Sequence, residues 1–150
     1  MDLTHLHLLT THLPIFGAFL GAIVLAYGLY ANSHHTKLAA YLVLIVASIG
    51  GGIAYLTGEP AEETMELIQG ISETMIEAHE ESAQLAIITL AILGLCSLAA
   101  FAFDGKLIAY RRTIAFVILI VSLICFGFVA RTGYLGGQIR HTEIESNVVK

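Results

Sequence analysis

The chain has 150 residues, 57% hydrophobic and 13% charged, with a net charge of −5 and a mean hydropathy of +0.81. A soluble domain of this length does not carry so much apolar and so little charged surface, and an acidic balance offers no basic face to nucleic acid. The class that remains is an all-α integral membrane protein whose first partner is the lipid bilayer.

Four runs are long enough to cross a hydrocarbon core of about 30 Å, which takes about 20 mostly apolar helical residues. They are Ile15–Ala31, Leu38–Thr57, Ala83–Phe103 and Ile114–Arg131. Each must be a helix, because no water in the core can satisfy exposed backbone groups. With their flanking turns, the spans are predicted at about 12–31, 38–57, 72–103 and 113–139 of a single domain covering 1–150. The expected architecture is a four-transmembrane-helix up-down bundle, with both termini on one side.

The first span opens at Thr10-Thr11-His12-Leu13-Pro14, with the threonines as expected caps and Pro14 in the first turn, where a missing N–H costs little. Met-Asp-Leu-Thr has no basic n-region and no small-residue cleavage site follows, so the span is expected to be retained. The loop to the second span holds His34 and His35, which read as solvated. Beyond span two lies an acidic connection over 58–82, with helix starts expected at Pro60 and at Ser72. A helix from Ser72 to Phe103 would measure about 48 Å at about 1.5 Å per residue, so the third span should carry His79 beyond the core. Cys96 and Cys125 lie inside spans three and four as small apolar residues, not as a CxxC pair.

Charge sets the expected orientation. The two short loops hold Lys37, Lys106, Arg111 and Arg112. The other side holds Arg131, Arg140 and Lys150 among most of the carboxylates. The positive-inside rule then puts both termini outside, in the periplasm for a protein of the bacterial inner membrane. Tyr27, Tyr30, Tyr41 and Tyr110 at the inner helix ends and Tyr55 and Tyr134 at the outer ends read as an interfacial belt.

Helical stripes assign facing. His79 shares one with Ala83, Ala86, Leu90 and Gly94, whereas Glu81 shares one with Leu85, Ile88, Ile92 and Leu95. Small residues mark helix contacts in membranes, so His79 should point inward and Glu81 outward. His141, aligned with Gly137, Tyr134, Ala130 and Gly127, is expected to point inward too. His12 is off the stripe of Gly17, Gly21 and Gly28, and its depth alone places it with the others.

Two segments carry a family likeness: Thr11-His12-Leu13-Pro14-Ile15 and Gly133-Tyr134-Leu135-Gly136-Gly137-Gln138-Ile139-Arg140-His141. With a histidine heading the third span, they resemble the small four-helix bacterial membrane proteins catalogued as domain of unknown function 2231. The resemblance covers nearly the whole chain, with His12, His79 and His141 at its three histidine positions. It departs from that pattern at Thr142-Glu143 and in having no acidic residue just before Gly58. It implies the fold and a histidine site, and no established activity.

Three histidines near one membrane face suit a haem iron or another transition metal. The leading expectation is a membrane b-type cytochrome-like electron-transfer protein. In it His79 and either His12 or His141 are the axial ligands of haem b, and Arg131 and Arg140 bind the propionates. An alternative is a non-haem zinc, copper or iron site that uses the same histidines with carboxylates such as Glu77, Glu80 and Asp2, to which His5 and His7 could add ligands unless they are simply solvated. Against it, the Glu-x-x-His pair of di-iron bundles is absent, since Ile76 fills that position. The central parts of the spans carry no ionisable residue, which speaks against a transporter. The remaining alternative is a structural subunit of a larger membrane complex, whereas the cytochrome itself could be one subunit of a respiratory or photosynthetic assembly; the chain could also form an oligomer. Either way the chain reads as a binding or electron-transfer protein more than a stand-alone enzyme. The acidic face would steer a basic periplasmic partner such as a c-type cytochrome.

Overall fold

The structure is a computed structural model that describes residues 3–60 and 73–140, apart from the side chains of Thr4, Glu73 and Arg140. Among these residues every regular element is helical: α1 (Leu3–Thr10), α2 (His12–Tyr30), α3 (His34–Leu56), α4 (Glu73–Ala102) and α5 (Arg111–Arg140). Four stretches are long and apolar enough to cross a membrane: His5–Tyr30, His34–Leu56, Thr74–Ala102 and Ile108–Ile139. Helices α2, α3, α4 and α5 form a four-membered ring in which each packs on its neighbours in sequence and α5 closes against α2. Thus α2 lies diagonal to α4, and α3 to α5.

Packing follows membrane rules, with small residues inside and long aliphatics outside. Leu25, Leu44, Leu93 and Ile118 fill the centre among Ala18, Ala40, Ala115 and Cys125. Phe16, Phe19, Leu20, Val46, Phe116 and Ile124 face outward. Close approach of α2 and α3 depends on Gly17, where a methyl would lie 2.5 Å from the Ala47 Cβ. Two hydroxyls within the spans bond back to their own helix, Ser48 to the Leu44 carbonyl at 2.9 Å and Ser122 to that of Leu119 at 2.8 Å, whereas the buried Ser97 hydroxyl has no partner among the described residues. Those two bonds satisfy Ser48 and Ser122 without a partner helix.

One end of the bundle is closed by two tight connections. Asn32 adopts φ 48°, and the Ser33 and Asn32 amides donate to the Gly28 and Leu29 carbonyls, ending α2 in a Schellman-type cap with asparagine where glycine is usual. Ser33 then caps α3 by accepting from the Thr36 amide at 3.3 Å. This start makes His34–Lys37 the first turn of α3, four residues earlier than the apolar run implied, because a capped first turn can be polar. Between α4 and α5, two short 3₁₀ turns, Asp104–Lys106 and Ile108–Tyr110, replace a loop. Tyr41, expected in the interfacial belt, is buried in the core; Tyr27, Tyr30, Tyr55, Tyr110 and Tyr134 are exposed.

The other end, called here the histidine end, differs from expectation at its start. Helix runs on upstream of Pro14 as α1, broken only at Thr11, whose side chain makes no capping bond. Proline removes one donor, but the Thr11 amide still reaches the His7 carbonyl at 3.0 Å and Thr10 Oγ1 donates to Leu6 O at 2.8 Å. At this end Gly58–Pro60 are helical, and the expected start at Ser72 lies outside the described residues.

Candidate functional site

The histidine end assembles two imidazoles, and one is not among the three leading histidines. His7, on α1, is half-buried against the end of α3. Its Nδ1 lies 2.8 Å from the Ala54 carbonyl oxygen and 3.4 Å from Thr57 Oγ1. The Thr57 hydroxyl donates to the Ile53 and Ala54 carbonyls, so toward His7 it offers only lone pairs. A carbonyl can only accept, so His7 Nδ1 must carry a hydrogen, and in the neutral ring the lone pair is then on Nε2.

His79 repeats the arrangement across the bundle. Half-buried on α4, it donates from Nδ1 to the Thr132 carbonyl of α5 at 3.0 Å. The same turn of α5 is fixed from a second direction, because Ser82 Oγ and Thr132 Oγ1 are 2.8 Å apart and Thr132 also bonds to Phe128 O. Gly136 makes room for the ring: a methyl there would sit 3.0 Å from His79 Cε1 and 3.2 Å from Nδ1. His79 and His7 are close enough for charge on one to act on the other, and Glu80 acts on His79 as well.

Both rings are thus held by carbonyls of neighbouring helices, in the orientation that puts the lone pair of a neutral ring on Nε2. This is the state in which imidazole ligates a metal, and a fixed Nδ1–H partner is the usual way of orienting such a ligand. Of the stripes, that of His79 is inward as expected, with Ala86 and Leu90 buried, and Leu85, Ile88, Ile92 and Leu95 exposed.

The other expected residues are dispersed. His12 is exposed on the outside of the bundle, 6.3 Å from the Phe16 ring, beside a groove between α2 and α3 lined by Leu13, Phe16, Leu20 and Val46. It is therefore not brought together with His79; its depth matches, but its facing does not. His141 and the side chain of Arg140 lie outside the described residues. The stripe expected to aim His141 inward is not an inner face, since Gly127, Tyr134 and Gly137 are exposed and neither glycine meets anything within 4 Å. The inner face of α5 instead runs through Ala115, Ile118, Ser122, Cys125 and Val129. Arg131 is exposed next to Thr132, as are Glu77 and Glu80, while Asp2 lies outside the described residues. Among the described residues no group of three or more His, Cys, Asp or Glu stands close enough to hold a metal ion. At the closed end His34, expected to be solvated, meets Asp104 at 3.2 Å.

A sequence reading that starts the first span at about residue 12 leaves His7 on the segment before it, where it reads only as a possible added ligand or a solvated residue. The available signal was the apolar Leu6, Leu8 and Leu9 around it, which continue the span upstream. No family model, curated protein or solved structure matches the chain.

Proposed function

We propose that the chain is a small multi-pass membrane protein that holds a b-type haem between His7 and His79 and passes electrons near one membrane face. The observation that carries the reading is the pair of half-buried imidazoles, each with Nδ1–H given to a backbone carbonyl and Nε2 left as a donor. The donor set fits haem better than a bare ion. A haem iron draws most of its ligands from the porphyrin and would need only His7 and His79 from this chain, whereas zinc or copper needs three or four protein donors. Such a third donor is missing among the described residues.

When bound, haem supplies a one-electron redox centre. This chain's residues contribute ligation by His7 and His79, ring orientation by Ala54 and Thr132, and room at Gly136. On α5, the exposed Arg131 would be a cation for a propionate; the side chain of Arg140, expected to be the other, lies outside the described residues. His79 is retained from the sequence reading as a ligand, and His7 replaces His12 as its partner. The short basic loops support putting the histidine end outside the bacterial inner membrane. A basic c-type cytochrome, or a larger membrane complex, is then the partner that its acidic flank would attract.

An absorption spectrum of the purified protein tests this. A Soret band with split visible bands on reduction is expected, with about one haem per chain. A colourless protein carrying stoichiometric zinc, copper or non-haem iron would overturn the haem assignment. A protein with neither would leave a structural subunit as the reading.

A further inference from the structure

At the closed end, the seam between α2 and α5 opens into a groove of about 490 Å³. Its lining changes along the helices. Leu29, Tyr30 and Arg112 belong to the helix ends, and Ala26, Phe116 and Leu119 lie one to two turns further along the spans. Tyr30 is 90% exposed, so its hydroxyl is free to sit at headgroup level.

Arg111 and Arg112 are adjacent yet differently employed. Arg111 is bound by Asp104, through Nε to Oδ1 at 2.9 Å and through a second contact to Oδ2. Arg112 is exposed and, among the described residues, has neither a hydrogen bond nor an ion pair. An unpaired guanidinium at the helix-end side of an apolar groove matches an amphiphile with a phosphate at its head.

We propose that this groove binds one phospholipid with an anionic headgroup, its phosphate on Arg112 and an acyl chain along Ala26, Leu29, Phe116 and Leu119. Basic pockets between transmembrane helices favour such headgroups. The charge argument also excludes a choline headgroup as the preferred one. Its trimethylammonium would sit beside Arg112, with the nearest carboxylate, Asp104, already engaged by Arg111 and His34. The proposal is independent of the haem assignment.

The test titrates detergent-purified protein with phosphatidylglycerol or phosphatidylcholine of identical chains and counts bound lipid by native mass spectrometry. One phosphatidylglycerol should be retained, at about tenfold lower lipid concentration than phosphatidylcholine, the factor expected for one charge-assisted contact. Arg112→Gln should erase that preference while elution and thermal midpoint stay at parental values. Ala26→Leu, which fills the groove from an exposed position, should weaken both lipids. Equal binding of the two lipids by the parent, or an undiminished preference in Arg112→Gln, overturns the proposal. So does displacement of phosphatidylglycerol by millimolar inorganic phosphate, which would mark a free-anion site.

Discussion

The two ends of the bundle use histidine in opposite ways. At the closed end His34 faces Asp104, which also takes the Arg111 guanidinium, so a protonated His34 completes a structural ion network across the α2–α3 and α4–α5 connections. At the histidine end His7 and His79 face backbone carbonyls, which hold the neutral ring and leave Nε2 unspent. The same side chain is a clasp where its partner is a carboxylate and is left with a free ring nitrogen where its partner is an amide oxygen. Proximity to the membrane surface, which both ends share, does not separate the roles; the partner atom does.

The largest effect should come from removing the proposed ligands themselves. His7→Ala and His79→Ala are each expected to abolish the Soret band, whereas His34→Ala should leave it at parental intensity. Visible spectra of the three variants at matched protein concentration check this. A band that survives His7→Ala at full strength would return the second ligand to a residue outside the described part, with His141 first in line.

A finer cut compares two neighbouring glycines. Alanine at Gly136 puts its methyl 3.0 Å from the His79 ring, whereas at Gly137 it meets nothing within 4 Å. Each substitution gains up to about 1 kcal/mol of helix propensity. Only the first meets an overpacking cost of about 1–3 kcal/mol, because the Thr132 bond keeps the ring from yielding. Gly136→Ala should therefore lose roughly 0–2 kcal/mol of stability and part of its haem occupancy, while Gly137→Ala is neutral or slightly stabilising. Thermal melts and the ratio of Soret to protein absorbance separate the two. Equal behaviour would mean that the His79 ring does not depend on its seat.

At the closed end, Asp104→Asn leaves Arg111 and His34 without their shared carboxylate. The pair is partly exposed, so the cost should be about 1–2 kcal/mol, less than for a fully buried ion pair. It should appear as a lower thermal midpoint with an unchanged Soret band. A haem loss matching the stability loss would show the ends to be coupled.

The contrast between lipid-facing and core stripes was legible wherever long and small residues alternate at helical spacing. The outward run from Leu85 to Leu95 and the inward His79 follow from that alone. The same rule failed on α5. Gly127 and Gly137 are small but open, and the inner face is set by Ile118, Ser122, Cys125 and Val129, a mix that size does not distinguish. Tyr41 failed for a related reason, since an aromatic near a helix end is read as interfacial until the neighbouring helix covers it. His7 was hidden by punctuation: Pro14 is a good helix start, and nothing in its own chemistry says that the preceding turn also holds. What keeps α1 in place is tertiary, the hydrogen bond from His7 to Ala54 on α3.

The smallest effect is expected at His12, and it tests the facing argument most directly. His7 and His12 are five positions apart, and at about 100° per residue they point to sides of the helix that differ by roughly 140°. A helix that buries His7 must therefore expose His12, and His12 does stand beside Phe16 on the outer surface. The break at Thr11 is too slight to reverse this, because the amide of Thr11 keeps its helical bond to His7. His12→Ala should leave the Soret band and the thermal midpoint unchanged within error. Loss of the band in His12→Ala, with retention in His7→Ala, would mean that α1 and α2 are rotated relative to this arrangement when the ligand is bound.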